Sequence, residues 1–431
     1  MSIYKELKNR GFIYQETDAD KTKKLLENEK VTFYVGFDPT GNSLHVGHLL
    51  PIMAMRLLQK AGHIPIVLVG GATAQIGDPS GKQTARPILT KEEVAANAEA
   101  LRKQLARFIS VEAGEAHFVN NLDWLKELNY IDFLRIIGTK FSINRMLAQE
   151  SVKARLEEGL TFLEFNYSIL QAYDFYILNR DLNCRMQFGG QDQWGNMVAG
   201  VDLTRRMNSN EVFCTTFPLL LDSNGQKFGK TAGGNNVWLD TGRTTVFDYY
   251  QFWRNCEDNQ VRQLLCFFTS LPVNEIDELS SLEAPAINRA KEILAYEATK
   301  LAHGETEARK AYLTAGSKFG FADKENKIKT SSGIAAIKTE ADNSFADLPT
   351  VELPESDFAG DGMWVVKLFT AAGLCQSNGE ARRLLTGGGG YINDERINSV
   401  DINIKSDAFK NGFIILKAGK KNIKKITLGQ A

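Results

Sequence analysis

The chain has 431 residues, of which 43% are hydrophobic and 24% charged, and a formal net charge of -1. That length exceeds one ordinary core, so two or three domains are expected, and the composition is that of a soluble globular protein. A balanced charge excludes a protein whose whole surface seeks polyanion or membrane.

Met1–Asp18 mixes Lys, Glu, Arg and Asn without an apolar h-region, so no signal peptide is expected. Val31–Phe37 is apolar and β-rich and ends at the turn Asp38-Pro39-Thr40-Gly41. A helix is predicted from about Val46 to Lys60, with Leu49, Leu50, Met53 and Leu57 at helical spacing and Gly62 closing it. Ile64–Val69 reads as a second buried strand before Gly70-Gly71, far too short to cross a membrane. Strand, helix and strand make a right-handed βαβ unit. Thr90–Phe108 reads as an amphipathic helix opened by a Thr90/Glu93 capping box. His117–Asn120 and Cys184–Phe188 are further strand candidates. The expected architecture is α/β with a mostly parallel sheet and a ligand site at the carboxyl ends of its strands.

After Trp238 the character changes, and Val246–His303 reads as helical. From about Ala322 to Thr350 the chain is polar and weakly periodic, a linker by composition. A compact unit resumes near Asp361, with Trp364–Leu368 and Ala381–Leu385 helical. The Gly387–Gly390 turn then leads to short strands around Tyr391–Ile392 and Phe413–Leu416. From Asn411 to Ala431 there are five lysines and no carboxylate side chain, a local surface suited to polyanion. The five cysteines lie far apart with no C-x-x-C pair, which argues against zinc and disulfide frameworks and fits a reducing cytoplasm.

Two motifs carry chemistry. His45-Val46-Gly47-His48 stands where the first strand turns into the first helix. A helix N-terminus offers free N–H groups to phosphate, and Gly47 leaves room for a flat ring or ribose near the backbone. His45 and His48, three apart, should face one side. Lys227-Phe228-Gly229-Lys230-Thr231 places two lysines on a Gly-bearing loop that can close on a polyphosphate.

Together, an early H-x-G-H and a later K-x-x-K loop resemble the class I aminoacyl-tRNA synthetases. Tyr34–Thr40 (YVGFDPT), Val69–Pro79 (VGGATAQIGDP), Tyr167–Asp174 (YSILQAYD), Gln187–Asn196 (QFGGQDQWGN) and KFGKT narrow this to the bacterial tyrosine–tRNA ligases, in order and over nearly the whole chain. The resemblance implies a Rossmann-like catalytic domain (1–222), the KFGKT loop region (223–246) and a helical domain on the tRNA-anticodon side (247–325). A linker (326–350) and a small α+β RNA-binding domain (351–431) complete it. It further implies a cytoplasmic homodimer that uses L-tyrosine, ATP with Mg²⁺ and tRNA(Tyr), with no protein-held metal or prosthetic group.

Residue by residue, the resemblance implies that Tyr34 and Asp174 hold the phenolic hydroxyl. Asp78, Tyr167 and Gln171 would hold the ammonium, and Gln187 would line the pocket. Gly36, Asp38, Gly47, Asp192, Gln193 and Lys230 would border ATP or the adenylate, with Asp192 on the ribose and Gln193 near the carbonyl. Thr40 and His45 would contact the phosphates and His48 the nucleotide. Lys82, Arg86, Lys227, Lys230 and Thr231 would clamp pyrophosphate, and Arg382, Arg383, Lys417, Lys420 and Lys421 would meet tRNA. Val35, where the family often has cysteine, and Pro51 in the first helix depart from the pattern.

Three rival readings are weighed. A tryptophan–tRNA ligase shares the fold and first motif, but Tyr34 with Asp174 and the C-terminal unit argue against it. For a small nucleotidyltransferase, the lysine loop and basic C-terminus are surplus. A non-catalytic RNA-binding or splicing factor would not need intact His45, His48, Lys227 and Lys230.

Overall fold

The computed structural model describes residues 2–80, 89–112, 114–149, 152–153, 156, 159–221, 225, 228–230, 234–337, 349–393, 395–409, 412–419 and 422–429. Lys82, Arg86, Lys227, Thr231, Lys420 and Lys421 lie outside these residues. The chain divides into two compact units, Met1–Gly304 and Glu305–Ala431.

The first unit is built on a six-stranded sheet. Its strands are β1 (Gln15–Glu16), β2 (Thr32–Phe37), β3 (Ile64–Val69), β4 (His117–Asn120), β5 (Cys184–Gly190) and β6 (Phe213–Phe217), in the order β1-β6-β5-β2-β3-β4. All neighbours pair in parallel except β1, which lies antiparallel on the β6 edge. The predicted strands stand at or within a few residues of their expected ends. β6 escaped prediction because all five of its residues are buried. A strand covered on both faces carries no polar alternation to read.

The predicted Val46–Lys60 helix begins with a tight 3₁₀ turn, Val46–His48, before the α-helix Leu49–Lys60. Gly62, at φ 95°, turns the chain out of it, and the N–H groups of Gly62 and His63 satisfy the carbonyls of Gln59 and Leu58. The capping box at Thr90 opens the helix Lys91–Leu105 as expected. The helical stretch comprises Val246–Arg254, Val261–Phe268, Val273–Ser280 and Ile287–His303. The N-terminal helix Ile3–Arg10 is tied to it. The buried Arg10 guanidinium donates to the carbonyls of Cys266, Thr269 and Leu271 at 3.1, 3.2 and 2.7 Å. These include carbonyls that a helix C-terminus leaves without intrahelical partners.

In the second unit, the helix Glu305–Phe319 leads into a stretch that composition marks as linker. Part of it is ordered by a turn, in which Asp323 accepts from the N–H groups of Lys327 and Ile328. A five-stranded sheet follows: β7 (Thr350–Pro354), β9 (Gly390–Ile392), β10 (Glu395–Arg396), β12 (Phe413–Ala418) and β13 (Asn422–Gly429), ordered β10-β9-β12-β13-β7. The short strands β8 (Met363–Trp364) and β11 (Asn403–Ile404) pair with each other. Trp364, predicted helical, belongs to β8, and the helix begins at Val365. The basic segment is largely an antiparallel hairpin, β12 on β13, anchored by buried Ile414, Leu416 and Ile426.

Candidate active site

The carboxyl ends of β2, β3 and β5 converge with one face of the helix Tyr167–Leu182. That face presents Tyr167, Gln171 and Asp174, spaced i, i+4 and i+7 and therefore stacked along the helix. Tyr34 on β2 stands in register beside Gln187 on β5. Both are buried, and the Tyr34 hydroxyl and the Gln187 Oε1 find no hydrogen-bond partner among the described residues. Leaving such groups unpaired costs free energy, so both point to a polar ligand atom. Burial, and then the charge of Asp174, hold the Tyr34 hydroxyl well above its usual pKa, so it stays protonated and can donate.

Asp174 is buried and held by two donors. Trp124 Nε1 donates to Oδ1 at 2.8 Å and Asn121 Nδ2 to Oδ2 at 3.0 Å. Burial nonetheless lifts its pKa to about 7, more than these donors pull it down. Asn121 also donates to Thr73 Oγ1 (3.1 Å), and its Oδ1 accepts from the Ala72 N–H (2.8 Å). Thr73 donates in turn to Asp38 Oδ1 (2.7 Å), and Tyr167 donates to Asp38 Oδ2 (2.8 Å). Gly70 is required here, because any side chain would enter the space taken by Asp38 and Thr73. A continuous chain of hydrogen bonds thus links Tyr167, Asp38, Thr73, Asn121 and Asp174, with Asp38 accepting from both of its neighbours and Asn121 donating to both of its own.

A second cluster surrounds Asp78, which is also buried. Gln193 Nε2 donates to its Oδ2 at 2.6 Å and the Ser80 N–H to its Oδ1 at 2.9 Å. Asn196 fixes the Gln193 amide by donating to its Oε1 at 3.2 Å. The Gln193 side chain therefore lies on Asp78. Asp192 follows Gly190 at the end of β5, and a Cβ on Gly190 would come within 2.7 Å of its carboxylate.

The H-x-G-H junction differs from expectation in two respects. The N–H of Val46 donates to the Val237 carbonyl, that of Gly47 to His45 Nδ1 and that of His48 to the His45 carbonyl. None of the three is free for phosphate, because the tight 3₁₀ turn and the His45 ring use them. The space above Gly47 is likewise taken: a Cβ there would stand 2.9 Å from His45 Cε1. The rings of His45 and His48 are 3.9 Å apart, as their spacing implies. His48 Nδ1 accepts from the His45 N–H at 3.0 Å. With both Nδ1 atoms accepting, each neutral ring carries its proton on Nε2. Burial lowers the pKa of His45 to about 4; burial and then His45 lower that of His48 to about 3. The site thus presents two neutral N–H donors in place of free backbone.

The second motif lies against the first. A Cβ on Gly229, at φ 104°, would stand 3.3 Å from the Gly47 nitrogen, and Lys230 is exposed beside it. Thr40 is exposed on the turn after β2, whose Thr40 N–H bonds the Asp38 carbonyl. Gly36 is the one exposed residue of β2. Arg382 and Arg383 are exposed on the helix Asn378–Thr386, and Lys417 is half-buried on β12. Thr73, Asn121, Trp124 and Asn196 were missed as site residues. Thr73 and Asn196 sit inside quoted blocks, and Asn120-Asn121 closes a predicted strand where a parallel sheet holds its ligand. Trp124 carries no motif that marks it, yet its indole N–H turns to Asp174.

A parallel sheet with an H-x-G-H turn and an opposed lysine loop defines a class I tRNA synthetase. The family described as tRNA synthetases class I (W and Y) matches residues 26–319, and the tyrosine–tRNA ligase SYY-like C-terminal domain matches residues 340–426. The tyrosine–tRNA ligase of Clostridium botulinum (strain Eklund 17B / Type B) is 47% identical over 428 residues, covering 99% of each chain. Tyrosine–tRNA ligase 1 of Clostridium acetobutylicum is 44% identical over 429 residues, covering 99% of this chain and all of that one. A C-terminally truncated mitochondrial tyrosyl-tRNA synthetase of Aspergillus nidulans superposes with a TM-score of 0.66 at 30% identity, over 73% of this chain and 94% of that one. The chain belongs to the bacterial tyrosine–tRNA ligases.

Proposed function

We propose that the chain activates L-tyrosine with ATP·Mg²⁺ to tyrosyl-adenylate and then transfers tyrosine to the 3'-terminal adenosine of tRNA(Tyr). The observation that carries the substrate choice is the buried Tyr34 hydroxyl, which has no partner among the described residues and lies under the influence of Asp174. A bound phenol accepts from Tyr34 and donates to Asp174, filling both needs at once. An indole or a phenyl ring cannot do both. Asp78, Tyr167 and Gln171 receive the ammonium, and Gln187 offers its buried oxygen to the same pocket. Gly36, Asp38, Gly47, Asp192 and Gln193 border the adenylate.

In the first step a tyrosine carboxylate oxygen bonds to the α-phosphorus as the bond to pyrophosphate breaks. The carboxylate is anionic at neutral pH, since α-carboxyls ionise near ~3.5, so no general base is required. The protein supplies position and charge stabilisation. The Nε2–H of His45, with Thr40 and the lysine loop through Lys230, suits that role as a donor to phosphate oxygens, and His48 meets the nucleotide. Lys82, Arg86, Lys227 and Thr231 belong to the same proposed clamp. Mg²⁺ arrives with the ATP, held by phosphates and water.

The second unit is proposed to grip tRNA through Arg382, Arg383, Lys417 and the lysines beyond it. A homodimer is proposed as well, supported by Ile131, Leu134, Ile136, Ile143 and Leu147, which lie exposed along one stretch. A cytoplasmic setting fits the absence, among the described residues, of any helix long and apolar enough to cross a membrane. The test is amino-acid-dependent ATP–pyrophosphate exchange with tyrosine, phenylalanine and tryptophan. Exchange with tyrosine alone is expected; exchange driven by tryptophan would overturn the pocket assignment.

A further inference from the structure

The segment after the lysine loop binds the H-x-G-H turn by more than packing. Residues 237–239 run antiparallel to residues 44–46, bridged at His45 and Trp238. The Val46 N–H donates to the Val237 carbonyl and the Leu239 N–H to the Leu44 carbonyl, both at 2.9 Å. Val237 faces both motifs, because its own N–H donates to the Gly229 carbonyl at 2.9 Å.

On this strap the Trp238 indole meets the His45 ring nearly at right angles (78°), with centroids 5.7 Å apart. Its other contact is Arg243, whose guanidinium carbon lies 3.4 Å from the indole centroid. Arg243 Nη1 donates to Asn42 Oδ1 at 3.0 Å, in the turn leading to His45, and the Trp238 N–H donates to Thr244 Oγ1 at 3.0 Å. The indole is therefore fixed on both sides and by its own backbone. The His45 ring, by contrast, is held among the described residues by the Gly47 N–H at Nδ1, the His48 ring and this indole.

We propose that Trp238, braced by Arg243, is a positioning residue for His45: it sets the direction of the Nε2–H that faces the phosphates and ties it to the lysine loop through Val237. The inference rests on the proposed adenylate-forming activity and deepens it. An edge-to-face contact favours one ring orientation, and small misplacements of a donor in a polar transition state are expensive in rate.

The test combines pyrophosphate exchange with direct tyrosine binding by equilibrium dialysis, on wild type, Trp238→Ala, Trp238→Phe and Arg243→Gln. Trp238→Ala should lower the exchange kcat by roughly tenfold or more while the tyrosine dissociation constant stays within about twofold. Trp238→Phe, which keeps an aromatic edge, should recover most of that loss. Arg243→Gln, at an exposed position, should fall between and guards against a misfolded alanine variant. In Trp238→Ala, water reaching His45 should also bring a pH limb into kcat between about pH 5 and 7 that wild type lacks. Wild-type kcat and pH profile in both Trp238→Ala and Arg243→Gln would overturn the inference and leave the activity standing. Equal losses in Trp238→Phe and Trp238→Ala would also overturn it, as would a parallel loss of tyrosine affinity in Arg243→Gln. Failure of wild type to exchange with tyrosine would overturn the activity reading, and this inference with it.

Discussion

Asn121 Nδ2 lies 3.1 Å from Thr73 Oγ1, and this contact joins two carboxylates on different elements, Asp38 and Asp174, into one network. The Thr73 hydroxyl accepts from Asn121 and donates to Asp38, so it has no rotational choice. Thr73→Val keeps the shape and removes the link. Removing one hydrogen bond from each of Asp38 and Asn121, which keep their bonds to Tyr167 and Asp174, should cost about 1–3 kcal/mol. We expect weaker apparent binding of both tyrosine and ATP, by roughly tenfold each, in pyrophosphate exchange. A double-mutant cycle of Thr73→Val with Asn121→Ala should show coupling on the order of 1 kcal/mol. Additive losses would mean that the two residues act separately.

Tyr34→Phe separates stability from recognition. The hydroxyl has no partner among the described residues, so its removal should leave the melting temperature of the unliganded protein unchanged or higher. Tyrosine affinity should fall by about 1 kcal/mol, roughly fivefold, and discrimination against phenylalanine should shrink by a similar factor. Thermal melts and exchange with the two amino acids check both halves. A destabilised variant would indicate a structural bond for this hydroxyl.

Acidity should act on tyrosine binding through Asp174. Its pKa of about 7 means that below neutrality the free site is increasingly protonated and loses its anionic acceptor. Tyrosine affinity should therefore weaken up to tenfold per unit as pH falls below about 7, and Asp174→Asn should bind weakly without that slope. For folding the sign is opposite to the usual carboxylate. Between about pH 4 and 7 unfolding releases this proton, so Asp174 alone lowers stability as pH rises. Equilibrium dialysis of tyrosine across pH tests the binding claim, and a flat profile would remove Asp174 from the phenol site.

The histidines should not titrate in the same range. With pKa values of about 4 and 3, His45 and His48 are neutral near pH 7, and the exchange kcat should be flat from about pH 6 to 8 where histidine ionisation is concerned. His45→Ala should lower kcat by roughly 10²-fold or more with little change in tyrosine affinity. A large loss of tyrosine binding would place His45 in the amino-acid pocket instead.

Ending the chain at Ile337 should spare pyrophosphate exchange and weaken tRNA charging, because the proposed RNA contacts lie on the Asn378–Thr386 helix and on β12 and beyond. Charging kinetics at two salt concentrations measure it, since contacts to phosphate weaken as salt rises. Unchanged charging would leave the basic hairpin without that role.

What was legible in the sequence was local. β3 spans its predicted residues, and the Thr90/Glu93 box opens its helix, because turn and capping chemistry reside in neighbouring side chains. The H-x-G-H junction was legible as a place but not in its detail. That Val46 would give its N–H to Val237 depends on a segment far along the chain. β13 hid in a lysine-rich stretch because its buried positions, Ile423, Ile426 and Gly429, do not alternate. Trp124 carries no sequence signal of its role, since only the folded chain brings its indole N–H to Asp174.

Arg10 has a bearing on how the protein is made. Its guanidinium waits for carbonyls 256 to 261 residues downstream, and Phe12 packs on Phe217 and Phe267. At about 5–20 residues per second on the ribosome, those partners emerge roughly ten to fifty seconds after the N-terminus. The first segment synthesised is thus among the last to finish docking, and through that interval the nascent chain carries at its leading end a guanidinium whose carbonyl partners are still to come, with Glu6 alone beside it, and an uncovered phenylalanine.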